Sequence, residues 1–161
     1  MSTRCFVGYQ SVFGGSILGS YCHHDGYLSG VGYALYKAYS EPSSAKWVVT
    51  LGDKSCINRD YAYTAKSVYD DGMEASEFET VEEFIDCAAD SDCEFAYIYV
   101  AHAEKWVCVF RDEDGYRVFP VAEFVDLYEK YKDEKPIYEI EKMAEAMMDG
   151  YGSIRHGNNL W

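Results

Sequence analysis

The stretch Cys93–Pro120, CEFAYIYVAHAEKWVCVFRDEDGYRVFP, constrains the fold more than any other part of the chain. Apolar and polar residues alternate along it in three runs. The breaks fall at Ala103-Glu104-Lys105 and at Asp112–Gly115, the second ending in glycine. Alternation with a period of two is the pattern of a strand, and a short polar break ending in glycine is the pattern of a hairpin turn. The three runs therefore predict an antiparallel meander: CEFAYIYVAH, then Trp106–Phe110, then Tyr116–Phe119.

The N-terminal residues predict a second sheet element. RCFVGYQSVFGGSILGSYCHH reads as a hairpin from about Arg4 to His23, turning at Gly14-Gly15 and closed by Asp25-Gly26. Ser29 is placed to cap a helix with Val31, Ala34, Leu35 and Ala38 at helical spacing, although Gly30 and Gly32 weaken its first turn. A short helix from Ser44 to Leu51 stops at Gly52. The alternation near Tyr61–Tyr69 fits a strand or an extended loop. Thr80-x-x-Glu83 is a capping box, which predicts a helix from Val81 to about Ala89 with Phe84, Ile85 and Ala88 inside. Pro120 opens a helix that turns Phe124, Leu127, Tyr128 and Tyr131 to the core and breaks at Lys135-Pro136. A last helix runs over Ile137–Met148. The expected class is α+β: an antiparallel sheet, hairpin plus three-stranded meander, with about five helices on one face. The expected organisation is a single domain over residues 1–150, followed by a mobile Gly/Asn-rich tail over residues 151–161.

A chain of 161 residues fits one domain. No apolar run approaches the roughly 20 residues that span a bilayer, and the opening MSTRCFVGYQ holds no long apolar segment of a signal peptide. The expectation is a cytoplasmic protein whose six cysteines are reduced and mostly buried. They form no C-x-x-C pair, and Cys87 and Cys93 are six apart, outside the usual zinc-ligand spacing. Phosphate-binding, nucleophile-elbow and zinc-protease motifs are absent, so neither a cofactor nor a metal is expected. The sixteen tyrosines suit half-buried strands and protein interfaces.

Charge narrows the function further. The net charge is −14, and it is uneven: residues 1–66 carry +2 and residues 67–161 carry −16. Not one Lys or Arg lies between Ser67 and Glu104. Such a field repels nucleic acid and attracts a basic protein groove. Within it, Glu79, Glu82, Glu83, Asp86, Asp90 and Asp92 fall on or beside the capped helix and form the candidate partner-binding surface. Glu79, Glu82 and Glu83, spaced at three and four, share a helix face and repel one another, a cost that a basic partner relieves. Carboxylates so placed satisfy the Lys and Arg side chains that phosphates would otherwise occupy.

A second candidate is Cys22-His23-His24-Asp25, where a thiol, two imidazoles and a carboxylate are consecutive. On a strand, Cys22 and His24 share a face, so a thiol–imidazole pair oriented by Asp25 is permissible, as in a small hydrolase or transferase. Gly30 and Gly32 could offer backbone N–H groups to an anion. The bland alternative is that Cys22 packs inward, His24 bonds locally, and Asp25-Gly26 makes a turn.

The run YCHHDGYLSGVGYALYKAY, followed by Leu51-Gly52-Asp53, resembles a family of small proteins common in bacteriophages and mobile elements. Their run is of the form Y-C-H-W-D-G-Y-P-x-x-V-G-x-x-L, then a helix ending in L-G-D. The resemblance covers about residues 1–55, with a looser echo around Tyr97–Phe110; His24 stands where the family usually has Trp, and Leu28 where it has Pro. It implies provenance rather than mechanism. Joined to the charge, it leads to the expectation of a phage-encoded acidic inhibitor of a host defence nuclease, of anti-CRISPR or antirestriction type, working by DNA mimicry. The expected partner is a nucleic-acid-handling protein with a basic groove in a bacterial cytoplasm. The alternative remains an enzyme using Cys22 and His24.

Overall fold

The computed structural model describes residues 2–154 and 157–161. Strands β1 (Cys5–Gln10) and β2 (Ile17–Cys22) form the expected antiparallel hairpin, with Cys5 opposite Cys22. Strands β4 (Phe95–Val100), β5 (Lys105–Arg111) and β6 (Tyr116–Pro120) form the expected meander. The purely antiparallel sheet is not what they build. β1 and β4 pair in parallel, from Cys5 against Phe95 to Gln10 against Val100, and a short strand β3 (Ser76–Phe78) adds to the free edge of β2. The result, among the described residues, is one six-stranded mixed sheet in the order β3-β2-β1-β4-β5-β6.

The physical reason lies in the unpaired edges. A hairpin and a separate meander would each leave a row of buried backbone donors and acceptors open, and joining β1 to β4 closes both. All six residues of β1 and five of the six in β4 are buried, as central strands require. Parallel pairing needs a long crossover, and residues 11–94 run between β1 and β4, returning to the start of β4 through the helix that follows β3.

Among the described residues six α-helices flank the sheet: α1 (Tyr33–Ala38), α2 (Pro42–Thr50), α3 (Tyr61–Lys66), α4 (Val81–Asp90), α5 (Val121–Tyr131) and α6 (Ile137–Met148). They lie on both faces, not one. On the first face Val7, Tyr97, Tyr99, Cys108 and Phe119 pack with Leu35, Val48, Phe124 and Ile140 from α1, α2, α5 and α6. On the second, Phe6, Ile17, Ile98 and Val109 pack with Val81, Phe84, Ile85 and Ala88 of α4. Gly8 and Gly19 explain that second layer. A Cβ on either would stand within 2.8 Å of the Phe84 ring, so only bare strand backbone lets α4 come this close.

Three local expectations also change. The segment after Asp60 is helical, because the Asp60 carboxylate caps α3 by accepting from the Ala62 N–H at 2.9 Å. Ser29 caps nothing. It lies inside a π-helical turn, Leu28–Gly32, and its hydroxyl donates to Glu141 of α6 at 2.5 Å. In the tail, Ile154 pairs with Tyr116 beside β6, and Asn158 and Leu160 are buried; Arg155 and His156 lie outside the described residues. Among the described residues no helix is long and apolar enough to cross a membrane.

Candidate functional site

The acidic surface begins at the start of α4. Thr80 Oγ1 accepts from the Glu83 N–H at 3.1 Å, and Glu83 Oε2 accepts from the Glu79 N–H at 3.2 Å. This reciprocal cap fixes the first turn and sets Glu82 and Glu83 at the positive end of the helix dipole. Glu82, Asp86 and Asp90 follow as one row at spacing four, each about 6 Å along the axis from the last.

Not all six predicted carboxylates are free. Arg111 reaches across from β5 to within 2.5 Å of Asp86 and donates to the Glu82 carbonyl at 3.3 Å. Arg4 lies 3.4 Å from Asp92. Glu83 serves the cap. Glu79, Glu82 and Asp90 have no ion pair among the described residues. The fold adds exposed acids that sequence reasoning placed in the acidic span but not in the site. Asp70, Asp71 and Glu74 precede β3, and Glu77 sits on it, accepting from the Ser16 hydroxyl at 2.7 Å. The open edge of the sheet and the helix that follows it thus form one acidic flank. Only Arg4 and Arg111 make ion pairs with it among the described residues.

The second candidate is placed differently from its strand-based geometry. β2 ends at Cys22, so the alternation that would align Cys22 with His24 stops there. The buried Cys22 thiol donates to the His24 carbonyl at 3.6 Å, not to its ring. The exposed His24 ring instead has Nδ1 2.9 Å from Ser2 Oγ, and His23 Nδ1 lies 2.7 Å from Tyr21 Oη. Asp25 adopts φ +58°, with its carbonyl accepting from Val31 at 2.7 Å and its carboxylate from the Tyr27 hydroxyl at 3.0 Å. The Gly30 and Gly32 N–H groups both donate to the Tyr27 carbonyl, at 3.0 and 3.4 Å, so they are not directed at an anion. Gly26 is held by contact: a Cβ there would lie 2.8 Å from Cys5 Cβ and 2.9 Å from the Arg4 carbonyl carbon. These motif residues work as a tertiary turn.

Beneath that turn lies a residue that sequence reasoning missed. Lys54 is fully buried; its Nζ donates to Ser20 Oγ at 2.9 Å and to the Tyr21 carbonyl at 3.4 Å. Burial pushes its pKa down to about 8, against the pull of Cys22, Cys5 and Asp53. Burial pushes the Cys5 thiol up, while the hydrogen bond with Cys5 and the Lys54 charge hold Cys22 down. A lysine between Asp53 and Ser55 in a polar turn reads as exposed, and no local pattern marks it otherwise. Its backbone explains its position: it extends the sheet by one residue, donating to Tyr21 and accepting from His23, each at 3.0 Å. Among the described residues no group of three or more His, Cys, Asp or Glu side chains is arranged to hold a metal ion.

The site therefore defines an α+β protein with a mixed sheet, an acidic flank and a buried lysine under the Cys22–Gly26 turn. No protein-family model matches the chain, and no curated protein or solved structure matches it either.

Proposed function

We propose that this chain is an acidic binding protein that occupies a Lys/Arg-lined groove on a nucleic-acid-handling partner. The particular form of the proposal is a bacteriophage or mobile-element inhibitor of a CRISPR or restriction nuclease, acting in a bacterial cytoplasm by DNA mimicry. The observation that carries it is the under-compensated flank along β3 and α4, where Glu79, Glu82 and Asp90 stand without ion pairs among the described residues beside exposed Glu74 and Glu77. Carboxylates held on a capped helix and a sheet edge are preorganised acceptors for the cations that bind phosphate. Their shared field speeds encounter with a basic groove and weakens as salt screens it.

The test is DNA cleavage by purified restriction and CRISPR effector nucleases, with and without the protein, at rising ionic strength. Protection is expected for at least one nuclease, to be competed by excess uncleavable DNA, and to fade as salt rises. The triple variant Glu79→Lys, Glu82→Lys, Asp90→Lys is expected to lose it. Protection unchanged by the triple variant, or absent for every nuclease, counts against the proposal.

A further inference from the structure

The acidic flank is not flat. Between α4 and the loop before β3 lies a cavity of about 320 Å³, at the small end of the range for ligand sites, roughly 300–1,000 Å³. Buried Phe6, Gly19 and Ser20 of the sheet and half-buried Tyr21 and Cys87 line it inside, with the Ser20 hydroxyl taken by Lys54, and exposed Met73 and Glu74 line it outside, with Asp53 between them. No Lys or Arg contributes to its wall. The wall is anchored: the Asp53 N–H donates to the Met73 carbonyl at 2.9 Å, and the Met73 N–H donates to the Asp53 carboxylate at 3.0 Å. The Glu74 carboxylate has no hydrogen bond or ion pair among the described residues.

A mainly apolar interior below two carboxylates matches a side chain with an apolar stem and a cationic head. The head must leave water beside Phe6, and a guanidinium does so more readily than a strongly hydrated ammonium. Its fork of donors can also serve two carboxylates at once. We propose that this cavity receives an arginine side chain of the basic partner, as the anchor of the interface. Protein interfaces concentrate their binding energy on such pocketed residues, arginine prominent among them. The inference rests on the reading of the flank as a docking surface for a basic protein.

The experiment titrates the full, isotope-labelled chain with N-acetyl-arginine N-methylamide and, separately, with its lysine counterpart, at low salt, by NMR. Saturable shifts centred on the Gly19, Ser76 and Cys87 amides are expected, with the arginine probe binding the tighter. Glu74→Gln, an exposed and unbonded position, is expected to weaken the arginine probe by about two- to fivefold, the range of one partly exposed charge pair. Shifts spread evenly over the acidic flank, equal affinity for the two probes, or an unchanged affinity in Glu74→Gln would overturn the proposal. Failure of the two readings is separable. Arginine binding without any nuclease protection counts against the nuclease reading alone, and nuclease protection without arginine binding counts against the pocket alone.

Discussion

Replacing Asn158 by alanine is expected to destabilise the protein by about 3 kcal/mol, a large effect for a residue three positions before the last. The side chain joins three segments. Its Oδ1 accepts from the Val81 N–H at 3.0 Å, and its Nδ2 donates to the Glu79 carbonyl at 2.7 Å and the Gly15 carbonyl at 3.1 Å. After truncation the Gly15 carbonyl keeps the Gln10 amide at 3.0 Å, but the buried Val81 N–H and the partly exposed Glu79 carbonyl lose their side-chain partner at the helix start. Two stranded backbone groups at about 1–3 kcal/mol each, less whatever water recovers, plus one ordinary bond at about 1 kcal/mol, give the figure. Urea unfolding at neutral pH measures it, and a thermal midpoint lowered by roughly 6–12 °C accompanies it. Asn159→Ala, at an exposed neighbouring position, is the control and is expected within about 0.5 kcal/mol of the parent. If Asn158→Ala also falls within about 0.5 kcal/mol, the tail does not hold α4 and the reasoning fails.

Gly19→Ala is expected to cost about 1–3 kcal/mol by forcing a methyl against Phe84, with the same urea assay as the check; a neutral result would mean that α4 does not lie on bare sheet backbone. Lys54 titrates near 8 folded against an ordinary 10.5, so between these values the unfolded chain binds the extra proton and stability rises with pH, by up to about 3 kcal/mol. Lys54→Met removes that contribution, so the stability difference between parent and variant should change across pH 8 to 10.5; a constant difference would place Lys54 in water. Thr80→Ala is expected to lose about 1 kcal/mol through the α4 cap, measured by urea unfolding followed by circular dichroism, and no loss would show that the cap is replaced by solvent.

Much of the local structure was legible. The run predicted as Trp106–Phe110 is β5 over Lys105–Arg111, and the helix predicted over Ile137–Met148 is α6 over the same residues. Thr80 and Glu83 announced α4, and Phe84, Ile85 and Ala88 are its buried face. Helix α3 was one exception: its tyrosines alternate like a strand, and the signal that decides it, Asp60 as a cap, is a single residue. The acidic flank was legible because charge is written in composition. Its partial neutralisation was not, since Arg4 and Arg111 lie far in sequence from the carboxylates they meet. The Cys22–His24 geometry depended on the strand continuing past Cys22, and the two residues point apart because it does not.

Period, caps and turns act between residues a few positions apart, so the sequence by itself determined the hairpin, the meander, α4 and α6, and the sign of the field over residues 67–104. Tertiary structure decided which strand edges meet, that α4 crosses the opposite face from the other packed helices, and that Lys54 is buried. Alternation specifies the face a side chain takes but not the neighbour its strand acquires, and that choice belongs to whichever arrangement closes the most backbone edges and buries both faces of β1 and β4 at once. Gly8 and Gly19 were the one local trace of it, two strand positions left bare for the Phe84 ring.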